Sequence, residues 1–295
     1  MPQSEFYCRT IAVSAHSDVI LYRQKDAVVY VTTLSGRTPR QVVNCPDEWI
    51  KVAVSTDGKF AIVACPDARW ISCHDLEHGQ TLFTRKVRDT IRQVGFLEHE
   101  QTLPYAVFES GRLEVRDASG QGRKLRTNRK LEYFYPSSES HFALEVLGDE
   151  YVVSQVSDDK LTKMFAIEKK TFDCFAPLFR GSLLALPQAR GSVLVYSTAT
   201  KEKEWEYTPA NGAHVTRLAY HEMLKSLVGI ELDCEGKVGG DKIIKLDCVQ
   251  KSAECLLVSP CFGTEYGFVK NGTLFVTAAN EVFSVPPTDQ VPEWM

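Results

Sequence analysis

No apolar stretch of this chain approaches the roughly 18 consecutive residues that cross a bilayer as a helix. The opening MPQSEFYCRT has neither the basic nor the apolar region of a secretion signal. Both absences lead us to expect a cytoplasmic protein with no membrane contact. Nine cysteines occur, an odd number with no CxxC pair, so no disulfide framework is indicated. Cys248, Cys255 and Cys261 are spaced by seven and six residues, which fits no zinc template. Free thiols in a reducing compartment, without a metal, are the expectation. Nor does charge of one sign dominate: the net charge is −4 over 295 residues, too small to supply a global field for nucleic acid or a lipid surface.

The common catalytic signatures are missing as well. The chain contains no HExxH, no GxSxG, no GxxxxGK[ST] and no D-x-[DN]-x-[DN]-G loop. Those gaps remove the standard zinc protease, nucleophile elbow, phosphate loop and calcium hand. No catalytic residue and no cofactor is assigned.

Strand patterning is what the sequence does contain. Between Trp49 and Leu82 lies a complete small sheet, WIKVAVSTDGKFAIVACPDARWISCHDLEHGQTL. Ile50 to Ser55 alternates, Thr56-Asp57-Gly58-Lys59 supplies a turn that tolerates positive φ, Phe60 to Ala64 is an apolar run, and Trp70 to Leu76 returns. A fourth strand is predicted to begin near Thr81.

Variations on this unit recur. Turns between the first and second strand of each unit, a and b, centre near Ser17, Asp57, His99, Ser138, Arg180, Leu224 and Asn271, in steps of 40, 42, 39, 42, 44 and 47 residues. Ends of the third strand, c, fall near Thr33, Asp75, Asp117, Asp158, Thr198, Asp247 and Val285, in steps of 42, 42, 41, 40, 49 and 38. Both markers give seven units and agree that the sixth is longest, its extra length lying in the Gly-rich Glu231 to Asp241 segment, read as a hairpin tip. Repeats of about 40 to 45 residues with four strands each are the pattern of propeller blades.

The S-T-D-G turn at Ser55 to Gly58, the run Gly111 to Asp117 (GRLEVRD), Ile71 to Leu76 (ISCHDL) and Ile243 to Cys248 (IIKLDC) resemble the a–b turn and strand-c ending of WD40 repeats. The resemblance spans nearly the whole chain, with His74-Asp75-Leu76 approximating the Trp-Asp ending. It carries over no residue of that family's internal hydrogen-bonded tetrad.

The expected fold is therefore all-β: a single WD40-like seven-bladed β-propeller domain over 1–295, with four-stranded antiparallel blades at 10–45, 49–87, 90–128, 131–167, 171–208, 214–258 and 264–287. The last unit runs out of chain after three strands, so the N-terminal segment 5–9 is predicted to complete it and close the ring. Stability should come from apolar faces of adjacent blades, such as Val52, Val54, Ile62 and Val63.

Four groups of residues are candidates for function. His16, His99, His141 and His221 fall at or beside a–b turns on four blades, where ordinary polar turn residues are the stronger reading over a shared metal site. The segment Arg112 to Lys130 holds Arg112, Arg116, Arg123, Lys124, Arg126, Arg129 and Lys130 against Glu114 and Asp117. It is either an acidic-partner, nucleic-acid or phosphoinositide site, or a solvated outer strand protected by charge; the missing interleaved aromatics favour the strand. Thr200 to Tyr207 (TKEKEWEY) reads the same way, with Trp205 packed between blades. Last, Trp49, Arg69, Trp70, Arg190 and Tyr266 are predicted on the face carrying the b–c and d–a connections, d being the outermost strand. Trp and Arg at such positions are frequent anchors of protein contacts.

That face is the expected site for a partner protein. The expected role is a non-catalytic, monomeric scaffold, adaptor or inhibitor of one partner, a toxin-neutralising immunity protein among them. The alternatives are a propeller hydrolase or lactonase at the channel mouth, for which His214 is the one histidine on the relevant face, and nucleic-acid or phosphoinositide binding through 112–130.

Overall fold

The computed structural model describes residues 11–14, 17–23, 27–33, 38–98, 102–117, 120–125, 130–136, 141–157, 160–168, 178–188, 191–221, 225–232, 241–258, 265–268, 274–278 and 281–285. The described elements are 27 strands and one 3-10 turn at Ala210–Gly212. They form seven antiparallel sheets, in each of which consecutive strands pair side by side.

The first sheet is β1 (Ile11–Val13), β2 (Val19–Arg23), β3 (Val28–Thr33) and β4 (Arg40–Asn44). The second is β5 (Lys51–Val54), β6 (Phe60–Cys65), β7 (Trp70–Asp75) and β8 (Gln80–Lys86). The third holds β9 (Ile91–Glu98), β10 (Thr102–Phe108), β11 (Leu113–Arg116) and β12 (Gly122–Leu125). The fourth holds β13 (Lys130–Tyr135), β14 (His141–Leu147), β15 (Glu150–Ser157) and β16 (Lys160–Glu168). The fifth is β17 (Leu178–Arg180), β18 (Leu183–Pro187), β19 (Val193–Ser197) and β20 (Lys203–Tyr207). The sixth is β21 (His214–His221), β22 (Ser226–Leu232), β23 (Lys242–Asp247) and β24 (Ser252–Val258). Three strands make the seventh: β25 (Glu265–Phe268), β26 (Leu274–Ala278) and β27 (Glu281–Val285).

The a–b turn of the second sheet shows why a short polar segment reverses the chain here. Ser55 Oγ donates to Asp57 Oδ1 (2.7 Å) and accepts from the Phe60 amide (2.9 Å), while Asp57 Oδ1 accepts from the Lys59 amide (3.0 Å). Gly58 adopts φ +76°, and a Cβ there would meet Ser17 Oγ at 2.2 Å, so the first sheet's own turn also demands glycine. Ser14 Oγ then donates to the Thr56 carbonyl (2.6 Å), tying the two turns together.

Packing follows from period-2 alternation in strands buried on both faces. In β6, Ala61, Val63 and Cys65 join a cluster with Leu21, Val29 and Val31 of the first sheet. The alternate residues Ile62 and Ala64 join Ile91, Phe96, Ala106 and Phe108 of the third. The same switch recurs in β10, whose Tyr105 and Val107 face Leu131, Phe134 and Ala143 of the fourth sheet, and in β18, whose Leu184 and Leu186 face the fourth sheet while Ala185 faces the sixth. Each cluster seams two neighbours, so the core is a series of inter-sheet layers. The outermost strands are mostly exposed, as in β4, β8, β20 and β24. Register shifts interrupt their pairing at β3–β4, β7–β8, β15–β16, β19–β20 and β23–β24. Such bulges twist an edge away from further strand addition.

The innermost strands line up from sheet to sheet: β5 lies against β1 and β9, β13 against β9, β21 against β17, and β1 against β25. The segment 5–9 lies outside the described residues, as do 286–295. No helix among the described residues is long and apolar enough to cross a membrane.

Candidate functional site

The end of each sheet that carries its b–c turn and its link to the next sheet is the end where the sequence placed a partner. On the first and second sheets this end is built tightly. Arg23, the last residue of β2, is buried; its guanidinium donates to the Glu48 main-chain carbonyl and lies 3.9 Å from the Glu48 carboxylate. That contact holds the link between β4 and β5. Asp47 Oδ1 accepts the Trp49 amide (3.1 Å) and Ile50 is buried beneath, which leaves the Trp49 side chain 63% exposed.

The neighbouring b–c turn is equally fixed. The Arg69 amide donates to the Pro66 carbonyl (3.1 Å) and the Arg69 carbonyl accepts from Val87 (2.8 Å). Arg69 sits at φ 49°, in the left-handed region, with its side chain exposed. Trp70 opens β7 and is half-buried, packed against the cluster of Ile50 and Val63. Trp49 and Arg69 thus offer solvent-facing side chains on rigid backbone, whereas Trp70 is partly spent on the seam.

Charges continue along the same end. Burial lowers the pKa of Lys51, and nearby Arg92 lowers it further against the opposing pull of Glu109. Arg92 pairs with Glu132, which also lies 3.6 Å from Lys130. On the sixth sheet, Glu231 accepts from Tyr207 Oη (2.7 Å) and Lys242 Nζ (3.2 Å). Burial, followed by the Glu231 contact, raises the Tyr207 hydroxyl pKa.

Two exposed apolar residues at this end carried no sequence signal beyond ending an apolar strand before a turn or link: Leu147 (49% exposed) and Val258 (46%). With Trp49 they are three of the four exposed large apolar side chains among the described residues. The fourth, Val249, lies in a c–d turn at the opposite end of its sheet. Of the remaining predicted anchors, Arg190 lies outside the described residues, and Tyr266 is placed in β25 by its backbone pairing with Val276.

The basic stretch is differently employed. Glu114 is buried, with its two oxygens 3.1 Å from Arg112 Nε and 2.5 Å from Arg116 Nη2. Arg116 also donates to the Gly120 carbonyl (2.9 Å), and the Arg112 guanidinium stacks 4.3 Å above the Phe108 ring. Arg123 and Lys124 lie on the outermost strand β12, where Lys124 is the register partner of Glu114. Lys130 is exposed, and Arg126 and Arg129 lie outside the described residues.

The described histidines divide: His78 is exposed and pairs with Asp75 (2.8 Å), whereas His74 is internal. His74 is buried, with Ser72 Oγ 2.7 Å from Nε2 and Thr81 Oγ1 3.2 Å from Nδ1. Burial lowers its pKa to about 4. His141 and His221 fall at the a–b end of β14 and β21, and His16 and His99 lie outside the described residues. Among the described residues no group of three or more His, Cys, Asp or Glu side chains is arranged to hold a metal.

Antiparallel four-stranded sheets seamed face to face, with inner strands aligned, define a WD40-like β-propeller fold. A chain of the crystallised mitotic checkpoint complex matches with a TM-score of 0.70 over 95% of this chain and 89% of that one, at 14% identity. Matches extend to 1655 solved chains, so the likeness establishes an architecture and leaves function to the site. No protein-family model matches the sequence, and no curated protein does.

Proposed function

We propose that this chain is a seven-bladed propeller, closed through β1 against β25 and completed by 5–9, that binds one partner protein and catalyses no reaction. The observation that carries this reading is the one-sided display of unspent side chains: Trp49, Leu147 and Val258 are exposed at the b–c and d–a end, as is Arg69 on the b–c turn of the second sheet. Apolar and arginine side chains held on rigid backbone lose little entropy on contact, which suits a protein interface. Fold likeness to a chain within a multiprotein assembly agrees with it. A cytoplasmic monomer acting as scaffold, adaptor or inhibitor, an immunity protein included, is the form this role takes.

The test is affinity capture from the native cell with three forms of the full chain. Wild type and an Arg123→Glu/Lys124→Glu double variant should capture the same protein, while Trp49→Ala/Arg69→Glu should lose it. Capture lost by the β12 variant and retained by the Trp49 variant would move the contact to the basic edge and overturn the proposed face.

A further inference from the structure

Positive charge is left over where the innermost strands begin. β9 lies between β5 and β13, and each of the three starts at the d–a end, with Lys51 first in β5, Arg92 second in β9 and Lys130 first in β13.

Two bulges bring charged side chains together here. In the pairing of β9 with β10, Gln93 matches Val107 and Ile91 matches Phe108, so Arg92 is the extra residue. In the pairing of β13 with β14, Leu131 matches Glu145 and Tyr133 matches Leu144, so Glu132 is the extra residue. A bulge re-aims the side chain it adds, and these two meet. The Arg92 guanidinium pairs with the mostly buried Glu132 carboxylate, which also stands 3.6 Å from Lys130 Nζ. One carboxylate therefore serves two cations.

Lys51 is a third cation. Val52 and Val54 pack on the cluster of the first seam, and Ala53 packs on the cluster shared with the third sheet. Alternation along β5 thus puts Lys51 on the side of β9. It is half-buried, and it makes no ion pair or side-chain hydrogen bond among the described residues. The Glu109 amide donates to the Thr90 carbonyl (2.9 Å), which holds the b–c turn of the third sheet at the start of β9. Glu109 itself is exposed, and burial with Arg92 lowers the Lys51 pKa against its pull. Three cations thus face two carboxylates, Glu132 and Glu109, and one positive charge stands half out of water without a counterion. An ion so placed gains when an opposite charge arrives.

We infer that the d–a end of β5, β9 and β13 is a carboxylate-binding site, in which Lys51, backed by Arg92 and Lys130, receives an aspartate or glutamate side chain of the partner protein. The inference rests on the proposed use of this end for a partner and adds the chemistry of that partner. One unit of excess charge matches a carboxylate, whereas a phosphate carrying close to two negative charges would leave negative charge in excess beside Glu132 and Glu109. Lys51 comes two residues after the exposed Trp49, so the acidic contact and the apolar one fall on a single stretch of chain.

The test uses the full chain and a fluorescein-labelled peptide of about ten residues that alternates glutamate with serine, read by fluorescence anisotropy, with a glutamine–serine counterpart as control. The glutamate peptide should bind and the glutamine one should not. Lys51→Gln should weaken binding at least about tenfold, Lys51→Arg should restore it, and Arg123→Glu/Lys124→Glu should bind as wild type does. Acetate and inorganic phosphate, compared at equal ionic strength, should displace the peptide equally well. Wild-type binding by Lys51→Gln, equal binding of the glutamine peptide, or displacement by phosphate far below the acetate concentration would overturn the inference. Loss of the native partner by Trp49→Ala/Arg69→Glu alongside any of these results leaves the proposed face standing without the carboxylate site. Peptide binding that depends on Lys51, alongside native capture indifferent to Trp49 and Arg69, keeps the site and removes the face.

Discussion

Arg69 and Arg116 stand near strand ends in adjacent sheets, and they do opposite work. Arg69 is held by its backbone, and its side chain is exposed to solvent. Arg116 is held by its side chain, between Glu114 and the Gly120 carbonyl. The contrast extends to their surroundings: the link and turn at the first seam leave Trp49 and Arg69 exposed, whereas the third sheet turns Arg112 and Arg116 inward onto one buried carboxylate. A run of positive charge in a sequence is therefore not a positive surface. What matters is whether the fold has already used the charge.

The largest effect expected from testing this contrast is at Phe108, fully buried between the second and third sheets beneath Arg112. Phe108→Ala should cost about 4 kcal/mol through lost burial and the cavity left behind, read as a shift in urea midpoint at constant slope. Glu114→Ala comes next. It leaves two arginines without their counterion in a mostly buried site, at a cost of about 3 kcal/mol, with Glu114→Gln intermediate. A loss under about 0.5 kcal/mol, the usual range for surface changes, would mean that the arginines are surface charges after all, and the comparison would fail.

His74 sharpens the same point within the second sheet. As a neutral imidazole it accepts through one nitrogen and donates through the other, matching two hydroxyls. Its folded pKa is lowered to about 4 from the ordinary histidine value of 6.5, so above pH 6.5 neither state is protonated and no penalty exists. As pH falls through that window the unfolded chain takes up the proton and the folded one does not, so stability falls by up to about 3 kcal/mol and then levels off. Comparing urea midpoints of wild type and His74→Gln from pH 7 to 4 isolates this slope, since the variant lacks the titrating group.

Much of the architecture was legible because its causes are local. The turn at Ser55 to Gly58 needs a residue that tolerates positive φ, and the run at Phe60 to Ala64 marks a strand buried on both faces; β5 to β8 fall accordingly. The c strands β7, β23 and β27 end at Asp75, Asp247 and Val285, where the repeat count put them. The site was only partly legible. That Glu114 neutralises Arg112 and Arg116 depends on its burial within the third sheet, which no count of charges reveals. That Trp70 packs while Trp49 does not depends on which face of the seam each meets. The contact of Tyr207 with Glu231 crosses between sheets, and pairings across a seam leave no trace in spacing.

The smallest effect on stability belongs to Trp49, and its smallness is the point. Truncating a side chain already 63% exposed removes little buried area, so Trp49→Ala should change unfolding free energy by no more than about 0.5 kcal/mol. The same change should weaken partner capture by at least tenfold, about 1.4 kcal/mol. Surface-bound purified partner, titrated with both forms of the chain, measures that loss directly. If Trp49→Ala instead destabilises the chain as Phe108→Ala does and leaves affinity unchanged, the tryptophan is spent on the fold like Arg116, and the two regions differ only in exposure.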